Sequence, residues 1–253
     1  MPRGPVSVVT SPGKSSDVAA WRSMPSVICR SARLCVTGGV LATTLAAQDY
    51  PPAFPRTNVT AIFKSDSVMV WDVMWPNGQP TALHRHVYDQ VGTYYSPGGR
   101  VITELNGTKR EATTPIGALS NTRAGTTHIE EGTTDPPLRA VFIELRGKGA
   151  AERPAPSDVP PMFPRERTIE RLDDERVTVW DHTWQAVEAV EGWYERETIW
   201  IFLSDGVLDF HGGNSAPYRL AVTPGRIRHR LPGTLESVTV VSGNPRAMIV
   251  AVK

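Results

Sequence analysis

The sequence contains two copies of one pattern, about 109 residues apart. The motif Pro-Pro-x-Phe-Pro-Arg at 51–56 recurs at 160–165, and Val-Trp-Asp at 70–72 recurs at 179–181 with the same spacing. Two unrelated motifs that share one offset indicate an internal duplication, and a repeat of this length is long enough to be a domain. We therefore expect the chain to fold as two similar halves.

Each half consists of short segments rich in Val, Ile, Thr and aromatic residues, a composition typical of β-strands. Turn pairs of the Asn-Gly, Asp-Gly and Pro-Gly types separate these segments at spacings too short for helices. Roughly 100 residues of short strands form a sandwich or a small barrel. We expect an all-β fold with domains at 48–146 and 160–253, joined by a linker at 147–159.

The first 47 residues carry a different signal. Met24 is followed by Arg30 and Arg33 and then by an apolar run at 36–47, an order that resembles a secretory signal peptide with translation starting at Met24. We expect cleavage near Ala47 and export to the periplasm or the medium. The alternative is an N-terminal extension on a cytosolic protein.

Composition excludes several kinds of chemistry and partner. Both cysteines, Cys29 and Cys35, lie before the expected cleavage site, so any metal in the mature chain must bind nitrogen and oxygen. A net charge of +1 with interspersed signs provides no basic stripe for nucleic acid. The apolar run is too short to span a bilayer, so we expect no membrane partner for the mature form. A small-molecule substrate is expected, and a homodimer is an open alternative.

Three histidines are the candidate metal ligands. His84 and His86 alternate on a segment that continues to Tyr95, and alternate residues of a strand point to the same side. One continuous strand places the following side chains on a shared face: His84, His86, Tyr88, Gln90 and Tyr94. His128, on a later segment, supplies the natural third ligand.

These residues resemble the two motifs of the cupin superfamily, a jelly-roll barrel around a central metal. The first family motif is Gly, five residues, His-x-His, three or four residues, Glu, six residues, Gly. It matches Gly78, His84, His86, Gln90 and Gly98.

The second family motif is Gly, five residues, Pro-x-Gly, two residues, His, three residues, Asn. It matches Gly117, Gly125 and His128, with Arg123 in place of Pro and Gly132 in place of Asn. The resemblance covers 51–253 and implies two tandem cupin barrels, a bicupin.

The first motif departs from the family at Gln90, which replaces a glutamate ligand. The resemblance therefore implies a three-histidine centre for one divalent transition metal, with Gln90 as an optional fourth ligand. Imidazole ligands accept Fe, Mn, Zn, Ni and Cu, so the residues leave the metal open. A metal-free polar pocket is the alternative.

The second copy lacks this site. Matching its segments to the first places Trp193, Tyr194 and Glu195 where the His-x-His pair belongs, and aligns His229 with His128. One histidine cannot hold a metal, so we expect a degenerate cupin domain with a structural or dimerisation role.

The expected function is that of a metal-dependent, dioxygenase-like oxidoreductase acting on a small organic substrate. Glu130 and Tyr94 are the predicted catalytic residues, with Glu130 as a general base or a further ligand. Tyr88, Tyr94 and Gln90 are the predicted substrate contacts. The alternatives are a non-redox isomerase or lyase, in which Glu130 moves the proton, and a small-ligand-binding cupin without turnover.

Overall fold

The computed structural model describes residues 49–212 and 216–253, so the expected signal peptide and its cleavage site lie outside the described residues. Within the described part, the regular secondary structure consists of 18 strands in four sheets. Among these residues there is no helix that could cross a membrane. The all-β fold class is confirmed.

The first half contributes nine strands. Their bounds are β1 Val59–Lys64, β2 Val68–Trp75, β3 His84–Arg85, β4 Asp89–Ser96, β5 Gly98–Glu104, β6 Lys109–Thr114, β7 Leu119–Thr122, β8 Thr127–Gly132 and β9 Leu138–Leu145. One sheet has the order β1-β2-β9-β4-β7, and the other has the order β3-β8-β5-β6. The paired strands within both sheets are antiparallel, as in a jelly roll.

The second half repeats this arrangement strand by strand. Its strands are β10 Ile169–Asp173, β11 Val177–Thr183, β12 Ala189–Tyr194, β13 Glu197–Phe202, β14 Gly206–Gly212, β15 Tyr218–Val222, β16 Ile227–Arg230, β17 Thr234–Gly243 and β18 Arg246–Val252. The sheet orders are β10-β11-β18-β13-β16 and β12-β17-β14-β15. Because both orders match those of the first half, the duplication read from the sequence is a duplication of the whole barrel.

The two barrels share a core. Strand β9 is apolar at nearly every position because Ala140 and Phe142 face the core of the first barrel, whereas Val141 and Ile143 face the second barrel. Strands β13 and β18 are buried on both faces for the same reason. The described residues, 49–212 and 216–253, consequently belong to one compact unit.

A buried carboxylate also joins the barrels. Glu197 begins β13 and accepts a hydrogen bond from Ser65 at 2.8 Å and another from Ser67, both at the end of the β1–β2 hairpin. The His229 Nε2 atom lies 2.9 Å from the same carboxylate. The His229 ring packs against Phe63, with 4.4 Å between ring centroids. Glu197 therefore links three segments from both halves.

We expect the change Glu197→Gln to make stability less dependent on pH. Burial alone would raise the pKa of Glu197, but the hydrogen bonds from His229, Ser67 and Ser65 outweigh burial and lower the pKa from 4.5 to about 2. The ionised carboxylate thus stabilises the fold above pH 4.5, and this contribution is lost as the pH falls towards 2. Urea denaturation should show a loss of roughly 2 kcal/mol at pH 7 that shrinks below pH 4.5.

The matched control is Asp89→Asn. Asp89 has the position in the first half that Glu197 has in the second, opposite the last residue of β9 rather than of β18. Its ion pairs with Arg176 and Arg123 are long, at 3.4 and 3.8 Å, and partly exposed, so its loss should cost under about 1 kcal/mol. Equal effects of the two changes would contradict the role given to Glu197.

Candidate metal centre

The three candidate histidines meet inside the first barrel. His84 lies on β3 and pairs directly with His128 on β8, and His86 follows β3. The backbone N–H of His86 donates to Thr126, and its carbonyl accepts from Gly125, so the second motif holds the first in register. All three side chains are buried, and one nitrogen from each lies within 4.8 Å of the others.

The histidine nitrogens are arranged as metal ligands require. The Nδ1 atom of His84 lies 2.9 Å from the Ala82 carbonyl, to which it donates, and its Nε2 atom is buried without a hydrogen-bond partner. The Nε2 atoms of His86 and His128 are 3.3 Å apart. Nitrogens bound to one metal at about 2.1 Å are about 3 Å from one another. The residues therefore fit a metal ion.

Burial also keeps these imidazoles neutral. It lowers the pKa of His84 and of His86 from 6.5 to about 4, and it lowers the pKa of His128 as well. Neutral imidazole is the form that binds metals. The ligand set thus adds no charge of its own.

A cavity of about 480 Å³ adjoins His86 and His128. Its uncharged polar lining consists of Gln90, Ser120, Asn121, Thr122 and Thr126, and its apolar lining of Ile102, Leu119 and Phe142. Gln90 is buried, and its Oε1 atom has no hydrogen-bond partner. That oxygen suits either a metal or a bound molecule, and the predicted ligand role of Gln90 stays a prediction.

Glu130 lies two residues beyond His128, and its carboxylate is bound by three other side chains. It forms ion pairs with Arg100 and with Arg56, the latter at 3.2 Å, and it accepts a hydrogen bond from Trp75 Nε1 at 3.0 Å. Its nearest approach to His128 Nε2 is 4.0 Å.

The environment of Glu130 makes it a weak base. Burial would raise the pKa of its carboxyl group, but the charges of Arg100 and Arg56 outweigh burial and hold the pKa well below the usual range. A carboxylate with so low a pKa has little tendency to take up a proton. Its contacts instead hold the side chains of Arg56, Arg100 and Trp75 in place.

The expectation that one strand runs from His84 to Tyr95 is wrong. The chain leaves the sheet between β3 and β4, so alternation is lost at Tyr88, whose ring instead packs under Arg146 at 5.1 Å. Tyr88 is not among the residues that line the cavity. Tyr94 is buried in the core against Trp75 and Phe142, and its catalytic role stays a prediction.

The second barrel replaces all three histidines. Arg85, between the first two, forms a parallel bridge with the Pro-Pro segment of the repeat, and Trp193 forms the same bridge in the second barrel. Gly192 and Tyr194, which flank Trp193, therefore occupy the positions of that histidine pair. The expected pair, Trp193 and Glu195, therefore lies one residue too late in the chain.

The third position is also different from the one expected. His128 pairs with His84, and the corresponding pair in the second barrel is Gly192 with Glu236. Matching His128 to His229 is therefore wrong, because His229 lies on β16, the counterpart of β7. His128 and His229 are each followed four residues later by Gly-Thr, and this local likeness produced the false match.

An internal ion pair fills the interior of the second barrel. Arg228 is buried, forms an ion pair with Glu236, and stacks on the Phe210 ring at 3.6 Å. Tyr194 donates to Glu236 at 3.1 Å, and Arg230 pairs with it at 2.8 Å. The chain's own cations therefore surround the position that corresponds to the candidate ligand His128.

No protein-family model and no curated protein sequence matches this chain, whereas many solved structures do. AerE from Microcystis aeruginosa is 13% identical over 78% of this chain and 94% of its own, with a TM-score of 0.55. Salicylate 1,2-dioxygenase from Pseudoaminobacter salicylatoxidans is 10% identical over 73% and 71%, with a TM-score of 0.52. Bacillus subtilis oxalate decarboxylase, described with Mn(II) centres, is 10% identical over 75% and 69%, with a TM-score of 0.50. The fold is therefore that of the cupin superfamily in its two-barrel form.

Removal of one histidine should abolish metal binding. We expect wild type to bind about one equivalent of metal, and His84→Ala and His128→Ala to bind under a tenth of that, since two imidazoles hold a metal weakly. The exposed His211 offers a matched control, and His211→Ala should bind as wild type does. Elemental analysis of the four purified proteins measures this, and metal retained in His128→Ala would contradict the assignment.

The role of Glu130 as an anchor has its own test. Glu130→Gln leaves Arg56 and Arg100 without their buried counter-charge, so the free energy of unfolding should fall by about 3 kcal/mol. Metal stoichiometry should be unchanged, because three histidines remain. The neighbouring Glu131→Gln serves as the control and should change stability by under about 0.5 kcal/mol. A stable Glu130→Gln protein that loses its metal would identify Glu130 as a ligand instead.

Proposed function

We propose that this protein is a metal-dependent enzyme of the dioxygenase-like oxidoreductase type, acting on a small organic molecule in its first barrel. The observation that carries the proposal is the convergence of three neutral imidazole nitrogens, two of which belong to histidines, His86 and His128, that line a cavity of about 480 Å³. A three-histidine set leaves coordination positions open for a substrate.

A bound divalent metal would supply Lewis-acid chemistry, and with Fe, Mn, Ni or Cu also redox chemistry. The chain's own residues hold the reactants. Gln90 and Ser120 offer hydrogen bonds from the cavity wall, and Phe142 and Leu119 offer apolar contact. Such a mixed lining orients a small organic molecule and excludes bulk water from it.

Two of the similar structures carry names that support small-molecule chemistry. One is a salicylate 1,2-dioxygenase and the other is an oxalate decarboxylase with Mn(II) centres. At about 10% identity their likeness concerns the fold, so the reaction proposed here depends on the histidine geometry of this chain.

The structure supports the two alternative functions, a non-redox isomerase or lyase and a ligand-binding cupin, to different degrees. A non-redox isomerase or lyase needs a base to move a proton, and Glu130 is held ionised by Arg56 and Arg100 as a weak one. The same observation favours a small-ligand-binding cupin, because capture of a ligand at the metal needs no base. We further propose export after cleavage near Ala47, which the order of residues in 24–47 supports.

Turnover by the reconstituted protein tests the enzyme proposal. Protein loaded under anaerobic conditions with Fe(II), Mn(II) or Zn(II) is exposed to oxygen and a panel of small organic substrates, with oxygen uptake and product formation as readouts. We expect oxygen uptake only with the redox metals, and at least 100-fold less in His128→Ala. Saturable binding without any product would favour the binding protein, and failure of wild type to retain metal would exclude the enzyme and leave a metal-free binding pocket.

A further inference from the structure

We propose that Arg110 binds a carboxylate group of the substrate in the cavity that adjoins His86 and His128. The substrate would then be a small organic acid. This inference rests on the proposed function and names the substrate class of the same site. It depends on which charges around the cavity are already neutralised and which are free.

Three arginines line the cavity, and two are committed elsewhere. Arg100 pairs with Glu130 and lies over the Trp75 ring. Arg123 forms ion pairs at the cavity rim with Asp174, at 3.2 Å, and Asp89. Arg110 has no ion pair or hydrogen bond with any residue in 49–212 or 216–253.

The position of Arg110 on its strand directs it into the barrel. Arg110 lies on β6 directly opposite Ile102 of β5, and Ile102 lines the same cavity. Burial raises the pKa of the Tyr94 hydroxyl, and the charge of Arg110 is among those that oppose this rise. Arg110 is exposed and also lines the cavity, so its guanidinium is open to solvent and to a ligand in the cavity.

The second barrel provides an internal comparison. Its residue at the position of Arg110 is Tyr218, opposite Phe210 on β14. The Tyr218 hydroxyl reaches Arg228 Nη2 at 3.0 Å and Arg230 Nη2 at 2.8 Å, and both arginines bind the Glu236 carboxylate. A side chain on this strand thus reaches the interior, and that interior holds a carboxylate between guanidinium groups.

Of the two glutamates that line the cavity, Glu130 is paired with arginines and Glu104 limits which organic acids fit. Glu104 also lines the cavity, lies opposite His128 in the sheet, and forms no side-chain ion pair within the described residues. A second carboxylate on the substrate would face this charge and be repelled. We therefore expect monocarboxylates to bind more tightly than dicarboxylates of similar size.

The probe is benzoate, compared with its uncharged isostere benzamide. Zn(II)-loaded protein is titrated by calorimetry, since zinc excludes redox turnover. We expect benzoate to bind wild type at least tenfold more tightly than benzamide, and Arg110→Gln to weaken benzoate by about tenfold while leaving benzamide unchanged. Arg110→Lys should retain most of the affinity. The adjacent Lys109, exposed and absent from the cavity lining, supplies the control Lys109→Gln, which should bind benzoate as wild type does.

The outcomes separate this proposal from the one before it. Benzoate that binds no better than benzamide, or equally well to Arg110→Gln, overturns the role of Arg110 while metal content stays intact. Loss of affinity in Lys109→Gln to the same extent also overturns it, since the effect would then be general surface charge. If Arg110→Gln does not fold, the comparison of benzoate with benzamide on wild type and on Arg110→Lys decides the question. Loss of metal from wild type would instead defeat the proposed function.

Discussion

The rest of the structure depends on the apolar layer between the two barrels. Val141 and Ile143 of β9 meet Val250 and its neighbours from β18, so each central strand is buried on both faces. A strand buried on both faces cannot slip in register without moving apolar side chains out of two cores. This fixes β4 and β7 beside β9 and so fixes the floor of the cavity, including Gln90. The second barrel contributes to the site by holding the first barrel's sheet in place.

The two barrels differ in how their buried polar groups find partners. Both interiors gather polar groups at the same strand positions, and buried polar groups need partners. The second barrel supplies them from the chain, with Arg228 and Arg230 around Glu236. The first barrel leaves His84 Nε2 and Gln90 Oε1 without partners among the described residues. Buried atoms without partners also occur in the second barrel, at His182 Nε2 and Trp200 Nε1, so what distinguishes the first barrel is the grouping of His84 Nε2 with the nitrogens of two further histidines.

The sequence predicted the duplication, the all-β class and the three histidines, because each depends on local spacing. It did not predict the alignment of the second site, because the Gly-Thr pair that follows both His128 and His229 favours the wrong match, whereas the strand pairing equates His128 with Glu236. It also missed the anchor role of Glu130. Arg100 is far from Glu130 in sequence and meets it when β5 and β8 pair, and Arg56 reaches it from the segment before β1. Contacts between residues far apart in the sequence produce no spacing pattern from which they could be predicted.

The charge balance of the site indicates the kind of ligand it can hold. Three imidazoles whose pKa values are lowered by burial are neutral, and Gln90 is neutral where the family motif has a carboxylate. The carboxylate of Glu130 is balanced by Arg56 and Arg100. A divalent ion in this position would therefore be offset chiefly by Glu104, the unpaired carboxylate that lines the cavity opposite His128. An anionic ligand would offset the remaining positive charge better than a neutral one, so the proposed metal and the proposed role of Arg110 favour the same class of ligand.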